Sequence, residues 1–305
     1  MDYSALLSKM VMFVLLLAIG YVMARKKILG PEFCKSCSAL LLNVFIVASI
    51  LSSVMGDRPQ LSGADFGNAM MMLCLTMVLT YVIAFLCGLP FLKEERGVKT
   101  EMVMAITNTL FVGLPVVQAV CGSEAVFYVG MSCVPYNLLL YSYGVWRLKS
   151  GSGEKGIRIR DMITVCLVAA ITALLIFLID PPIPTGVTGI INTISGATVP
   201  LSMIVIGASM GGINPARAFG EKRSYVIAIE RLIIAPLITY FVVKQFTGNE
   251  TLLISCMVLA GCPVGVISTP LFIRYGHDGE YSSKAVMVTT VLSLLTLPLL
   301  IAILF

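Results

Sequence analysis

The stretch Asn108-Thr109-Leu110-Phe111-Val112-Gly113-Leu114-Pro115 interrupts one long apolar part of the sequence, and Gly261-Cys262-Pro263-Val264-Gly265-Val266-Ile267-Ser268-Thr269-Pro270 interrupts another. Proline lacks a backbone N–H and frees a carbonyl group one turn earlier, while glycine tolerates unwound backbone. Each stretch can therefore open peptide groups in the middle of an apolar helix. Such groups need water, protein or a ligand as a partner. The two stretches predict two broken helices.

The composition indicates apolar surroundings for most of the chain. Of the 305 residues, 58% are hydrophobic and 12% are charged, whereas an average soluble domain has about 25% charged residues. A bilayer is apolar and offers no partner to peptide groups, so spanning segments are helices of about 20 residues. We therefore expect an all-α integral membrane protein.

Ten apolar stretches are long enough to span a bilayer. The fourth and the ninth contain the two interruptions and are the least regular. The ten predicted spans are residues 6–24, 36–55, 66–92, 101–120, 124–148, 162–179, 187–212, 224–243, 252–273 and 281–305.

Lysine and arginine concentrate in alternate loops between these spans. Arg25, Lys26 and Lys27 follow the first apolar stretch, an order that favours a retained helix over a signal peptide. Because positive residues stay on the cytoplasmic side, the bias predicts a multi-pass protein of the plasma (cell inner) membrane with both termini extracytoplasmic. The basic residues are spread over several loops, which argues against a nucleic-acid partner.

The loop at residues 149–161 divides the chain into two halves. It contains Gly151, Ser152, Gly153 and Gly156, which is typical of a flexible linker. Residues 1–148 and 162–305 then hold five predicted spans each. Because five is odd, the second half enters the membrane from the opposite side, as in transporters built from inverted repeats. The fourth and ninth spans occupy matching positions in the two halves.

Several motifs resemble those of the auxin efflux carrier family, in its plant and bacterial branches. The stretch from Asn108 to Pro115 is similar to the fourth-helix motif of that family. The likeness extends over nearly the whole chain. Further similarities are Val116-Val117, Pro263-x-Gly265, Phe272-Ile273-Arg274-Tyr275, Ser283-x-Ala285-Val286, Pro200, and Arg231 with Pro236.

This resemblance implies two inverted five-helix repeats, in which the broken fourth and ninth helices cross as an X at the binding site, commonly within a dimer. Members of the family carry auxin in plants and dicarboxylates such as malonate or malate in bacteria. The family usually has a proline in the second span, about where this chain has Val47. We therefore expect a straighter second helix here.

The motifs and the resemblance together give a set of candidate substrate-binding residues. The Asn108 amide can donate and accept hydrogen bonds, which suits a carboxylate or a freed carbonyl group, although amides also join membrane helices. Asn137 and Asn43 leave the same two alternatives open. The candidates are Asn43, Asn108, Thr109, Gly113, Pro115, Asn137, Pro263, Val264 and Gly265.

Glu230 and Arg231 lie about a third of the way into the eighth span. An unpaired charge at the centre of a membrane helix costs about 2.5 to 3.5 kcal/mol or more, so both residues need partners. Adjacent helix positions do not share a face, and we expect the two side chains to contact different groups. A coupling role and snorkelling toward the cytoplasm both remain open.

Three classes of function can be compared. The first is a secondary transporter that moves a small organic anion by alternating access. The second is a cation/proton antiporter of similar fold, which usually needs membrane-centred carboxylates. The third is a membrane enzyme or a channel. An enzyme needs a nucleophile, a base and a stabilising group within reach, and the one histidine, His277, lies in a predicted loop; a channel filter motif is also absent.

We expect the transporter, without enzymatic activity. We expect no cofactor and no metal, since the nine cysteines lack the spacing of a zinc site. The expected partners are a small carboxylate, the lipid bilayer and, as an open possibility, a second copy of the chain. The Gly207-x-x-x-Gly211 pair permits close helix approach inside the bundle or across a dimer, and we favour contacts inside the bundle.

Overall fold

The computed structural model describes residues 3–55, 62–91, 97–149 and 163–305, and the regular elements in these ranges are helices. We number them in chain order: α1 (Tyr3–Arg25), α2 (Pro31–Met55), α3 (Gly63–Phe91), α4 (Gly97–Ala105), α5 (Thr109–Cys121), α6 (Ser123–Lys149), α7 (Val165–Ile179), α8 (Thr185–Gly211), α9 (Pro215–Phe219), α10 (Lys222–Val243), α11 (Glu250–Gly261), α12 (Ser268–Arg274) and α13 (Gly279–Leu304). The predicted linker falls outside the described residues, except for Lys149 at the end of α6.

Six of these helices are long and apolar enough to cross a membrane: α2, α3, α6, α8, α10 and α13. Four shorter apolar helices, Val11–Arg25 within α1, Thr109–Cys121, Val165–Ile179 and Glu250–Gly261, lie at the predicted first, fourth, sixth and ninth spans. The protein is therefore a helical membrane protein, and many of its exposed side chains are large and apolar, as contact with lipid requires.

Polar residues in the connecting loops set the starts of several helices. Ser62 and Asp65 form a reciprocal capping box at the start of α3. The Asn249 side chain accepts a hydrogen bond from the Leu252 N–H at the start of α11, and Asp278 caps α13 in the same manner. These caps satisfy backbone N–H groups that have no partner within the helix.

Helices α1, α2, α7 and α8 pack on one another and form what we call the flanking bundle: α1 lies along α8, and α2 packs on α7 and α8. The contact between α1 and α8 depends on glycine. A Cβ atom at Gly20 would collide with the Ile204 carbonyl oxygen, and one at Gly207 would collide with that of Leu17. Gly211 lies against Ala24 in the same contact. The Gly207-x-x-x-Gly211 pair thus serves helix packing inside the chain.

Helices α3 to α6 and α10 to α13 form a second group, which we call the crossover bundle. Helix α3 packs on α4, α6, α10 and α11, and α13 packs on α10 and α12. Contacts of α6 with α2 and α7, and of α5 with α8, join the two bundles. The chain is interrupted twice inside the crossover bundle, between α4 and α5 and between α11 and α12.

Candidate functional site

The two interruptions meet as a pair of antiparallel extended segments. The first break comprises residues 106–108 and the second comprises residues 262–267. The Asn108 N–H donates to the Pro263 carbonyl oxygen at 2.9 Å, and the Gly265 N–H donates to that of Ile106 at 2.9 Å. Thr107 and Val264 form the isolated bridge between them. Each break therefore satisfies part of the unwound backbone of the other.

Glycine permits this close approach at two positions. A Cβ atom at Gly265 would lie 2.7 Å from the Thr107 carbonyl oxygen, a backbone atom that cannot turn aside. A Cβ atom at Gly113 would lie 2.8 Å from Sγ of Cys262, the end of a side chain. Both glycines thus let the segments touch. An added Cβ atom is more disruptive at Gly265, where it meets a backbone atom, than at Gly113, where it meets the end of a side chain.

The first break is bounded by neutral polar groups. The Tyr136 hydroxyl donates to the Thr107 carbonyl oxygen at 3.1 Å. The Asn108 carbonyl oxygen accepts from the N–H groups of Val112 and Gly113, at 3.2 Å each, in the π turn Thr109–Gly113 that opens α5. Asn108 is 3% exposed, and its Nδ2 has no hydrogen-bond partner among the described residues. An unused donor therefore lies beside the N-terminus of a half-helix.

The second break is bounded by a cation. The Arg231 side chain donates from Nε and Nη2 to the Cys262 carbonyl oxygen, at 3.1 and 2.7 Å. That carbonyl lies just past the end of α11, where helix carbonyls lack partners. Nη1 of Arg231 has no hydrogen-bond partner among the described residues. The Val264 N–H donates to Oγ1 of Thr289 at 3.1 Å.

Glu230 lies beside Arg231 in the π turn Glu230–Ile234 of α10. It is 1% exposed, and neither carboxylate oxygen has a hydrogen-bond partner among the described residues. Arg231 contacts the second break while Glu230 makes no such bond. The two side chains thus form no hydrogen bond with each other, as their adjacent positions predict, and the partner expected for Glu230 is not found among the described residues. Both side chains are buried inside the protein.

Six of the candidate residues meet at the breaks: Asn108, Thr109, Gly113, Pro263, Val264 and Gly265. The helical break precedes the glycine and proline of the first motif by several residues. Pro115 lies in the first turn of the α-helical part of α5, where a missing N–H costs no hydrogen bond.

The other two candidate amides contact their own helices. Nδ2 of Asn137 is buried and donates to the Cys133 carbonyl oxygen at 2.7 Å. Asn43 is exposed and donates to the Ala39 carbonyl oxygen at 2.7 Å. Neither side chain forms a hydrogen bond with the breaks among the described residues, so their roles in substrate binding stay predictions.

The second predicted span, for which we expect a straighter helix, is α2, which is continuous from Pro31 to Met55. Helix α2 contains a π turn at Leu41–Phe45, directly before Val47. A π turn leaves backbone groups outside the regular α-helical pattern. The Phe45 carbonyl oxygen accepts a hydrogen bond from Oγ1 of Thr198 in α8, at 2.9 Å. This helix is therefore irregular without the proline.

Three contributors were missing from the sequence prediction: Thr107, Tyr136 and Thr289. Tyr136 and Thr289 lie far from the breaks in sequence, and hydroxyl groups are common in membrane helices. Their positions in the sequence could have pointed to them, because Tyr136 precedes the candidate Asn137 and Thr289 lies one turn beyond the Ala285-Val286 motif. Each belongs to the last predicted span of its own half.

An ion pair joins the middle of α4 to α6. Glu101 is 1% exposed and pairs with Arg147 of α6, which contacts both carboxylate oxygens. The Tyr143 hydroxyl donates to Oε1 of Glu101 at 2.5 Å. Both of these partners of the buried carboxylate lie in α6. This pair ties the first half of the broken helix to α6.

The crossing, where residues 106–108 and 262–267 meet, contains one cationic donor, Arg231. Arg231 and Asn108 hold bonds to the adjacent residues Cys262 and Pro263, and each retains a free N–H donor among the described residues. Donors of this kind suit a carboxylate, which accepts several hydrogen bonds. Within the described ranges, no three His, Cys, Asp or Glu residues form a group that could hold a metal ion.

Known proteins resemble this chain over most of its length. The model of a family described as "Membrane transport protein" matches residues 5–165 and 155–301. A protein of Methanothermobacter thermautotrophicus, described as an uncharacterized transporter, is 28% identical over 297 residues, which cover 93% of both chains. One of Methanocaldococcus jannaschii, described in the same words, is 23% identical over 293 residues, 93% of this chain and 94% of its own.

These matches confirm the resemblance to auxin efflux carriers. They also confirm the expectation of a membrane transporter that the apolar helices and the unwound segments suggest. The chain belongs to the membrane transport protein family, whose members include the auxin efflux carriers.

Proposed function

We propose that this protein is a secondary transporter that binds a small organic anion at the crossing of the two breaks and moves it by alternating access. The observation that carries the proposal is a pair of unused donors, Nδ2 of Asn108 and Nη1 of Arg231, on residues bonded to the second break. Both donors are buried. A buried donor without a partner is costly, and a carboxylate would satisfy it.

The proposed architecture has ten spans in two inverted repeats, residues 1–148 and 162–305, joined by a cytoplasmic linker at 149–161. Its support is the packing of the helices. The first predicted span, α1, packs along the seventh, α8, and the second, α2, packs on the sixth, α7. Two inverted halves related by an axis in the membrane plane pair their helices in this way.

Alternating access requires two parts that can move against each other. An apolar cavity lies between the flanking and the crossover bundles. The flanking bundle contributes Phe13, Leu17, Met203 and Ile206, and the crossover bundle contributes Val112, Val116, Thr290, Ser293, Leu294 and Leu297. Apolar side chains line both walls of this cavity, and such a contact can slide without breaking hydrogen bonds between the two walls. We propose that the crossover bundle moves along this surface and carries the bound anion.

The same proposal includes the plasma membrane as the location, both termini outside the cytoplasm, and a possible homodimer. The substrate is a dicarboxylate such as malonate or malate, or an auxin-like carboxylate. Both choices rest on the family resemblance. The cationic crossing supports an anion over a neutral solute or a cation.

A cation/proton antiporter is the second candidate, because Glu230 is buried without a hydrogen-bond partner among the described residues. Antiporters of this kind exchange protons for cations at membrane carboxylates. Glu101, the other carboxylate of the crossover bundle that is almost fully buried, is bound by Arg147. One carboxylate beside an arginine is a weak cation site, since the arginine repels the cation.

Uptake into proteoliposomes tests the proposal. We expect the purified protein to accumulate malonate or indole-3-acetate, and Asn108→Ala to reduce that uptake by about tenfold, since one charge-assisted hydrogen bond contributes about 1.5 kcal/mol. Asn192→Ala is the control, because Asn192 is exposed in α8 and bonds to Ser52. Movement of Na⁺ or Li⁺ without either anion would favour the antiporter.

A further inference from the structure

We propose that Glu230 is a proton-binding site whose protonation strengthens the attraction of Arg231 for the anion, so that the protein carries a proton together with its substrate. The transport part of this inference rests on the proposed function. It assigns the coupling ion, which the family and the two relatives leave open.

The position of Glu230 is the first observation. It lies within α10, a helix of 22 residues that is apolar enough to cross a membrane, and it is 1% exposed. Neither Oε1 nor Oε2 has a hydrogen-bond partner among the described residues. The residue lies in a π turn, a local irregularity that is frequent at functional sites. A buried carboxyl group without a partner is the arrangement that favours a bound proton over a charge.

Glu101 provides the internal comparison. It is buried to the same extent as Glu230, at 1% exposure, and Arg147 and Tyr143 of α6 bond to its carboxylate. A carboxylate with such partners is stable as an anion. The crossover bundle therefore contains two buried glutamates in different surroundings. Glu101 is hydrogen-bonded and paired with an arginine, whereas Glu230 has no hydrogen-bond partner among the described residues.

The charged and titratable groups next to Glu230 come from two elements, α10 and α3. On its own helix α10 the neighbour is Arg231, and from α3 the neighbour is Cys87. Arg231 in turn faces Tyr81 of α3, Tyr136 of α6 and Cys262 after α11. Two groups of α13 are engaged elsewhere, since Tyr281 bonds to Thr100 and Lys284 pairs with Glu280.

Arg231 connects the proton to the anion. Its Nε and Nη2 are fixed on the Cys262 carbonyl oxygen, and Nη1 is free of hydrogen bonds among the described residues. An ionised Glu230 attracts this guanidinium group and lowers its attraction for a substrate carboxylate. A protonated Glu230 removes that competition. Proton and anion then favour each other's binding, and such linkage is reciprocal.

No covalent step is involved. The proton moves from water to a carboxylate oxygen of Glu230 when the site opens to one side of the membrane, and it returns to water on the other side. The net cargo of each cycle is one proton with one substrate anion. Transport of malonate into a vesicle must then acidify the interior.

The test uses proteoliposomes that contain a pH-sensitive dye, with malonate and indole-3-acetate as substrates. In the wild type we expect substrate-driven acidification. In Glu230→Gln we expect acidification and net uptake to fall by about tenfold, within the usual range of coupling between two sites. Exchange of internal for external substrate should continue, because glutamine imitates the protonated acid. Glu280→Gln, an exposed control, should leave all three unchanged.

Acidification that persists in Glu230→Gln overturns the inference while leaving the carrier intact. A wild type that moves neither anion overturns the proposed function instead. In that case infrared difference spectra still test the site. A carboxylic-acid C=O band that titrates in the wild type and is missing in Glu230→Gln supports proton binding at Glu230, and a band that is unchanged in Glu230→Gln contradicts it.

Discussion

Both breaks contain a backbone carbonyl oxygen that accepts a hydrogen bond from a side chain, but the donor is neutral at the first break and charged at the second. At the first break, the Thr107 carbonyl oxygen accepts from the neutral Tyr136 hydroxyl. At the second, the Cys262 carbonyl oxygen accepts from the Arg231 guanidinium group. Both unwound segments need donors inside an apolar bundle, yet a formal charge is placed at one of them. The paired backbone segments thus supply the shape of the crossing, and one arginine supplies its positive charge.

Replacement of Arg231 should have the largest effect on stability. Arg231→Met leaves the Cys262 carbonyl oxygen without its charged donor, and a buried group that loses a charged partner costs about 3 kcal/mol or more. We expect the loss in thermal-unfolding experiments in detergent. Arg231→Lys should lose less, because it keeps the charge and gives up the two-donor geometry. Equal stability of Arg231→Met and the wild type would refute a structural role for the cation.

The glycines at the crossing allow a matched comparison. Gly265→Ala should destabilise by about 2 to 3 kcal/mol, because its Cβ meets the Thr107 carbonyl oxygen, and crowding of a packed site costs about 1 to 3 kcal/mol. Gly113→Ala should cost about 1 kcal/mol, since Sγ of Cys262 can turn away. Unfolding temperatures of the two variants decide the order. A larger loss in Gly113→Ala would show that the breaks pack differently.

Thr289 supplies the acceptor for an amide of the second break. Thr289→Val keeps the shape of the side chain and removes Oγ1, which leaves the Val264 N–H without its acceptor. A buried donor that loses its partner costs about 1 to 3 kcal/mol, so we expect a loss of about 2 kcal/mol. Thr290→Val is the control, because Oγ1 of Thr290 has no hydrogen-bond partner among the described residues. A loss of the same size in both variants would argue against the Val264 contact.

Tyr136→Phe should show a small effect, about as large as that of Gly113→Ala. Tyr136→Phe removes one neutral hydrogen bond to the Thr107 carbonyl oxygen, which contributes about 1 kcal/mol. The neutral break should thus depend less on its donor than the cationic break depends on Arg231. Unfolding temperatures measured beside those of Arg231→Met test this directly. If Tyr136→Phe destabilises the protein as much as Arg231→Met, the contrast between the two breaks fails.

The sequence predicts the existence of both breaks and the depth of Glu230 and Arg231, because glycine, proline and charge are local signals. It could not predict the bond from Arg231 to Cys262, which joins residues 31 positions apart. The stretch predicted from the sequence begins at Asn108, whereas the first break already begins at Ile106. Pro115 fits the first turn of a helix, so the unwound residues precede it. The amide of Asn43 satisfied the same pattern as that of Asn108, and packing alone separates an exposed side chain from a buried one.

Ligand-dependent thermal stability of the purified protein tests the central claim, that the crossing binds an organic anion. Malonate, malate, indole-3-acetate, Na⁺ and Li⁺ would be compared on the wild type, Asn108→Ala and the control Asn192→Ala. A ligand that binds the folded state at 100 times its dissociation constant stabilises it by about 2.7 kcal/mol. We expect a stabilising shift with a carboxylate in the wild type and in Asn192→Ala, and its loss in Asn108→Ala. A shift with cations alone, or a carboxylate shift that Asn108→Ala retains, would contradict the account.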